Sequence, residues 1–117
     1  RETDMHEMTI AMNVVDAGIK RAQENHALYV TSIELEIGEL AGILNDSLLF
    51  CFDSVCKNTI AESCKLNIHS VPAIGKCHHC EITFTVESLF AFCPDCSQFQ
   101  VLIVSGKELK IKSFNYE

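Results

Sequence analysis

Two pairs of cysteines provide the clearest chemical signal in the sequence. The first pair is Cys77-His-His-Cys80, and the second, after a gap of twelve residues, is Cys93-Pro-Asp-Cys96. Each pair places two sulfurs on one side of a tight turn, so two facing turns can complete a tetrahedral site of four thiolates. Four protein ligands leave no position for water or substrate. The pattern therefore predicts a structural Zn²⁺ and not a catalytic one.

The same four sulfurs also suit a rubredoxin-like iron, which would make the module an electron carrier. The spacing leaves that alternative open, and an absorbance spectrum separates a colourless zinc protein from a red ferric one. His78 and His79 lie inside the first turn. Either imidazole could hydrogen-bond a thiolate or replace it. We favour the simpler interpretation that both are exposed turn residues.

A second candidate metal site lies near the start of the sequence, at Met5-His6-Glu7. If residues 1–4 are an extension left over from cloning or from misassigned initiation, Met5 carries a free terminal amine. That amine, the His6 imidazole and the His6 backbone nitrogen could surround one metal, and nitrogen-rich planar ligands suit Ni²⁺ or Cu²⁺. The ordinary alternative is that His6 and Glu7 are first-turn helix residues, with Glu7 favoured there by the helix dipole.

Composition restricts the location and the partners of the protein. The apolar stretches are too short to span a bilayer, and the first four residues lack the apolar segment of a signal peptide. We therefore expect a cytoplasmic protein without membrane contact. The formal net charge of −7 repels phosphate backbones, so nucleic acid is not an expected partner. Cys51, Cys56 and Cys64 are predicted to be buried thiols, and no base is expected beside Cys51 or Cys56, which argues against a cysteine enzyme.

The first half of the hydrophobic pattern predicts a helix and a strand. Apolar residues at helical spacing predict a helix from Met8 to Ala22, with Asp4 and Glu7 spaced like a capping box. Strict alternation from Thr31 to Ile37 then predicts a half-buried strand ended by Gly38.

A second helix and strand follow, giving an α-β-α-β order. Asn45 or Asp46 is expected to cap the helix, which continues through Lys57, and Cys64 to His69 forms the strand. Beyond Pro72, short strands are predicted around the cysteine pairs at 82–86 and 100–104. The extended segment at 108–116 is expected to return to the first sheet. The inner face of the second helix is predicted to comprise Leu48, Leu49, Phe52, Val55 and Cys56.

Four motifs, in this order, resemble the HypA/HybF family of nickel-incorporation factors for [NiFe]-hydrogenase. They are Met5-His6-Glu7 running into Met8-Thr-Ile-Ala11, then Glu36-Ile-Gly-Glu-Leu40, the two C-x-x-C pairs and Gly106-Lys-Glu-Leu109. The resemblance extends from Met5 to the C-terminus. Glu81 and Ser97 depart from the family pattern, because they stand where the family usually has glycine after each cysteine pair.

The resemblance implies an α+β fold with two domains. A small nickel-binding α/β domain, residues 5–71 plus 106–117, would place two helices on a three-stranded mixed sheet, and residues 72–105 would form an inserted zinc-ribbon-like β domain. Nickel would be held by His6 and by the backbone nitrogens of His6 and Glu7, with Asp46 as a candidate further ligand. The predicted zinc ligands are Cys77, Cys80, Cys93 and Cys96.

The function that the resemblance implies is nickel delivery without catalysis. Family members pass Ni²⁺ to the hydrogenase large subunit together with the GTPase HypB, and in some bacteria they also serve urease. A homodimer is compatible with this role. The alternative is an interaction adaptor whose one metal is structural, and nickel loading followed by metal analysis separates the two.

Overall fold

The structure, a computed structural model, describes residues 2–99 and 101–117. Arg1, Gln100 and the side chains of the first five residues lie outside the described part, as do the predicted terminal-amine ligand and the predicted first residue of the strand at 100–104. In chain order the described elements are α1 (Glu2–Glu24), β1 (Val30–Gly38), α2 (Asn45–Cys56), β2 (Lys65–Val71), β3 (Ile74–Cys77), β4 (Thr83–Thr85), β5 (Val101–Ser105) and β6 (Leu109–Tyr116).

The first sheet has three strands in the order β2-β1-β6. The amide of Glu117 donates to the carbonyl of Tyr29, while the amide of Gly38 donates to the carbonyl of Glu108, so β6 runs antiparallel to β1. On the side of β1 that faces β2, one backbone hydrogen bond joins the start of β1 to the segment before β2, and another joins the end of β1 to the end of β2. The two strands therefore run parallel. The predicted mixed sheet and the return of the last segment to it are confirmed.

β1 is the central strand, and its alternating sequence explains its burial. Ile33, Leu35 and Ile37 are buried, as their shared face predicts. Helix α1 approaches this strand closely at Gly18, where an added Cβ would lie 3.0 Å from the Cδ1 of Ile33. A larger residue at Gly18 would require the side chain of Ile33 to move.

Both helices begin differently from the prediction. α1 begins at Glu2, six residues before the expected Met8, so Asp4 lies within the helix and the proposed capping box is wrong. α2 has Leu44 as its N-cap residue, so neither Asn45 nor Asp46 caps it. The reason is tertiary, because the amide of Leu44 is bound by a carboxylate from α1, described below.

The buried face of α2 is also shifted relative to the prediction. Leu48, Phe52 and Cys56 are buried as expected. Leu49, however, is 38 % exposed, whereas Cys51 is buried. Val55 is intermediate in exposure. The helical spacing allowed either face, and α2 packs against α1.

The second sheet is small and antiparallel, with the strand order β4-β3-β5. Ile74 of β3 lies opposite Thr85 on one side and Ser105 on the other. Gly75 in the middle strand is needed for close packing, since a Cβ there would lie 2.7 Å from the Cγ1 of Val101.

The chain divides into two compact units. We call the first the α/β unit (Arg1–Leu35, Ile43–His69 and Lys110–Glu117) and the second the cysteine unit (Glu36–Gly42 and Ser70–Leu109). The second unit groups 36–42 with the cysteine region, a grouping absent from the predicted boundaries. Those boundaries remain a prediction.

Candidate metal centres

The four cysteines of the two C-x-x-C pairs converge in the cysteine unit. Their Sγ atoms all lie within 4.8 Å of one another, and the Cys77–Cys96 and Cys80–Cys93 sulfurs are each 3.5 Å apart. Four sulfurs bound tetrahedrally to one ion at about 2.3 Å would lie roughly 3.8 Å apart, whereas a disulfide needs about 2.05 Å. The sulfurs are therefore placed for one tetrahedral ion and not for disulfides.

Each cysteine pair forms a turn closed by two backbone hydrogen bonds. In the first turn the amide of Glu81 donates to the carbonyl of Cys77 at 2.9 Å, and the amide of Cys77 donates to the carbonyl of Ile82 at 3.0 Å. The second turn repeats both bonds at Cys93. Glu81 and Ser97 close the turns with φ of 64° and 60°, the left-handed region that favours glycine. This geometry explains why glycine is expected there, and both residues adopt it at some cost in strain.

Backbone amides prepare the first turn to hold a thiolate. The sulfur of Cys77 accepts hydrogen bonds from the amides of His79 at 3.4 Å and Cys80 at 3.5 Å. These bonds, that from Cys80 foremost, lower the pKa of Cys77 to about 6 although desolvation opposes them. The imidazoles of His78 and His79 are exposed. The observed contribution of His79 to this sulfur is therefore its backbone amide.

Burial differs between the sulfurs of each turn. Cys77 and Cys93 are almost fully buried, whereas Cys80 is exposed and Cys96 is intermediate. One cysteine of each pair thus faces the interior of the unit and the other faces its surface. A metal held by all four would tie the surface turns to the interior of a unit with few buried side chains.

The residues predicted to hold nickel lie in the α/β unit, and they differ in exposure. His6 is exposed on α1. Glu7, the next residue, is fully buried, and its Oε2 accepts a hydrogen bond from the amide of Leu44 at 2.9 Å. Asp46 is exposed in the first turn of α2, two residues after Leu44. The structure therefore brings the His6-Glu7 segment to the N-terminus of α2.

The carboxylate of Glu7 is only half satisfied. Among the described residues, Glu7 Oε1 is the one buried side-chain oxygen or nitrogen without a hydrogen-bond partner. Its position at a helix N-terminus is electrostatically favourable for an anion. The interpretation of Glu7 as an ordinary first-turn residue is wrong, since it lies inside α1 and links that helix to α2. Helical spacing carries part of this signal, because Glu7 lies three, four and seven positions before the buried Ile10, Ala11 and Val14. Its residue type by itself predicts exposure.

The two remaining family motifs form a structural junction within the cysteine unit. The amide of Gly38 donates to the carbonyl of Glu108 at 2.8 Å, and that of Leu40 donates to the carbonyl of Gly106 at 2.6 Å. A Cβ on Gly38 would overlap the backbone of Gly106. The side chain of Glu39 also accepts the amide of Ala73 at 3.2 Å. These motifs therefore fix the backbone, and they supply no convergent metal ligands.

Within the described part of the chain, no helix is both long enough and apolar enough to cross a membrane.

Comparison with protein families gives one match over almost the whole chain. Residues 5–116 match the family HypA, described as hydrogenase/urease nickel incorporation, metallochaperone. The hydrogenase maturation factor HypA of Chlorobaculum parvum is 44 % identical over 113 residues, which cover 97 % of this chain and all of that protein. The HypA of Actinobacillus succinogenes is 37 % identical over the same coverage.

Solved structures show the same fold. A solution structure of a HypA protein superposes with a TM-score of 0.73 at 20 % identity, covering 97 % of each chain. The solution structure of the Ni metallochaperone HypA from Helicobacter pylori gives a TM-score of 0.65 at 19 % identity, covering 94 % of this chain and 96 % of that one.

Proposed function

We propose, from the fact that this chain belongs to the HypA family, that it is a nickel metallochaperone for the maturation of [NiFe]-hydrogenase. The observation that carries the proposal is the family match over residues 5–116, which begins at the Met5-His6-Glu7 segment. In this role Ni²⁺ is a cargo that enters and leaves by ligand exchange. The protein then catalyses no reaction.

The proposed nickel ligands are the His6 imidazole and the backbone nitrogens of His6 and Glu7. In a chain that starts at Met5 the terminal amine would join them, and the first four helical amides would have no carbonyl partner within the helix. When α1 begins at Glu2, regular helix geometry instead pairs the amides of His6 and Glu7 with carbonyls four residues earlier. Residues 1–4 are therefore expected to weaken nickel binding.

The Glu7 side chain is proposed to hold this segment in place. Its hydrogen bond to the amide of Leu44 anchors the helix turn that carries His6 to the first turn of α2. His6 itself stays exposed, so a recipient protein can approach nickel from the solvent side. Asp46 is the proposed further ligand, since it occupies the first turn of α2 near this anchor.

The resident metal is proposed to be a structural Zn²⁺ held by Cys77, Cys80, Cys93 and Cys96. The convergence of four sulfurs and the amides directed at Cys77 support this assignment. When bound, zinc supplies a tetrahedral cross-link and takes no part in nickel exchange. Residues 72–105 form the zinc-ribbon domain of this proposal, inserted in a nickel-binding domain of residues 5–71 and 106–117.

The proposed partners follow from the family role. They are the GTPase HypB and the large subunit of the hydrogenase. Urease maturation is a second recipient pathway in this proposal, and a homodimer is a compatible assembly. The reduced cytoplasm is the proposed location, because it keeps the four thiols available for metal.

The decisive experiment is a calorimetric Ni²⁺ titration of the zinc-loaded chain starting at Met5. We expect one nickel site whose affinity rises with pH, since ligation by backbone nitrogen and neutral imidazole releases protons. His6→Ala should abolish this site, and the 117-residue chain should bind at least about tenfold more weakly, by analogy with the loss of supporting metal interactions.

His69→Ala is the matched control, because it removes another exposed histidine from the same unit. It should leave nickel affinity unchanged. Unaltered nickel binding in the His6→Ala variant would exclude the ligand assignment. Metal analysis and an absorbance spectrum of the same samples should give one zinc per chain and no red ferric band, and one iron instead would assign the cysteine site to electron transfer.

A further inference from the structure

An open groove lined by aromatic side chains lies on the cysteine unit and includes none of the four metal-site cysteines. Its volume is about 480 Å³. Phe84 and Val86 contribute from β4 and the residue that follows it, and Phe90, Phe92 and Pro94 contribute from the loop between the two cysteine pairs. We call this feature the aromatic groove.

The groove and its surroundings expose an unusual amount of aromatic surface. Phe90 is 91 % exposed and Phe92 is 57 % exposed, and the neighbouring Leu89 and Phe99 are also exposed. Phe90 therefore contributes little to the stability of the cysteine unit. Clustered aromatic side chains that a monomer leaves in water mark a surface that binds something else.

Local contacts hold the backbone at Phe90 and the ring of Phe92 in defined positions. The hydroxyl of Ser88 donates to the carbonyl of Phe90 at 2.9 Å and accepts the amide of Phe90 at 3.2 Å. The ring of Phe92 lies against that of Phe99, with centroids 4.3 Å apart. A partner would therefore meet a loop that is already ordered, which lowers the entropic cost of binding.

Acidic charge distinguishes between the occupants that could fill the groove. Glu87 lines it directly, and the exposed Asp95 follows Pro94 in the loop. The whole cysteine unit carries six acidic residues and two lysines. A second copy of this acidic surface would be repelled, whereas a basic segment would be attracted.

We propose that the aromatic groove binds a segment of a partner protein that carries a large apolar side chain next to lysine or arginine. The apolar side chain fills the groove between the phenylalanine rings, and the cation lies near Glu87. An exposed ring also attracts a nearby cation through its face. This proposal does not rest on nickel delivery, because the groove contains no residue of α1 or α2.

The test is a selection of random twelve-residue peptides displayed on phage against the zinc-loaded full chain. Enriched peptides should pair a large apolar residue with an adjacent lysine or arginine. A synthetic peptide from this set should bind at least tenfold more weakly to Phe90→Ala in fluorescence anisotropy. Glu87→Gln should reduce the dependence of its affinity on salt.

Phe50→Ala is the matched control, since Phe50 is a similarly exposed ring (73 %) on α2. It should leave peptide affinity unchanged, and nickel affinity should be the same in Phe90→Ala as in the parent chain. Enriched peptides that lack basic residues, or that bind Phe90→Ala equally well, would overturn the proposal. So would a dimer in sedimentation, or binding to phosphatidylcholine vesicles, that Phe90→Ala abolishes, because the occupant would then be a second copy or a membrane.

Discussion

The α/β unit and the cysteine unit bury apolar side chains to different degrees. Among the described residues, Phe52, Leu35 and Leu48 are fully buried in the α/β unit, whereas the largest fully buried side chains of the cysteine unit are Cys77 and Cys93. A group of exposed phenylalanines adds to this contrast. The α/β unit therefore has a core that apolar burial can stabilise, whereas we expect the cysteine unit to depend on a metal cross-link.

Removal of the metal should have the largest effect on folding, and this effect should be confined to the cysteine unit. Chelation, or Cys93→Ser, should abolish the folded structure of β3, β4 and β5, since apparent zinc-binding energies in small zinc modules reach about 10–16 kcal/mol. Helices α1 and α2 should persist. Amide hydrogen exchange measured residue by residue checks this outcome.

Cys64→Ala is the matched control for that experiment, because it removes a buried cysteine outside the C-x-x-C pairs. This variant should keep its zinc and its protected amides in β3. If the amides of β3 stayed protected in the metal-free chain, the cysteine unit would not need a metal cross-link to fold.

Two phenylalanines offer the next largest contrast. Phe52→Ala should destabilise the metal-loaded chain by about 3–5 kcal/mol, because it opens a cavity in the core. Phe90→Ala should change stability by no more than about 0.5 kcal/mol, since this ring is exposed. Urea unfolding followed by helical circular dichroism measures both, and equal losses would contradict the comparison.

Glu7 should have an intermediate effect that belongs to the α/β unit alone. Glu7→Ala should cost about 1–3 kcal/mol, because it leaves the amide of Leu44 without its acceptor. Glu7→Gln keeps an acceptor oxygen and should cost less. The same urea titrations provide the measurement, and an Ala variant as stable as the parent would show that this link is unimportant.

The reactivity of cysteine thiols should also differ between the two units. Burial raises the pKa of Cys56 to about 12 and that of Cys64 to about 11. In the metal-free chain at pH 7.5, where the cysteine unit is expected to unfold, Cys77 becomes accessible, and iodoacetamide should modify it far faster than the two buried thiols. Mass spectrometry of timed samples gives the rates.

The same shifts set the direction of a pH effect on folding. The folded chain retains the protons of Cys56 and Cys64 more tightly than the unfolded chain does. Their contribution to stability is therefore complete below about pH 9 and is lost as the pH rises towards 12. Stability that increased over this range would contradict the assignment of buried, neutral thiols.

Much of the fold could be predicted where local sequence and local structure agree. The alternation in β1 identified its buried face because side chains in a strand alternate between two faces. The spacing of the cysteine pairs indicated two turns, and the structure brings all four sulfurs together. The capping of α2 could not be predicted in this way, because it involves a contact between two residues that are 37 positions apart in the chain. The start of α1 also differs from the prediction.

Residue types and their spacing therefore establish the chemistry available to this protein: four soft sulfurs in two turns, a histidine and a glutamate in succession, and an acidic, aromatic loop. The distribution of that chemistry between interior and surface follows from the folded chain. It buried Glu7 against the N-terminus of α2 while leaving His6 exposed, and it left Phe90 in water while burying Phe52. The physical reason is that residue type sets the cost of burying a group, whereas the packing of distant segments decides which groups are buried.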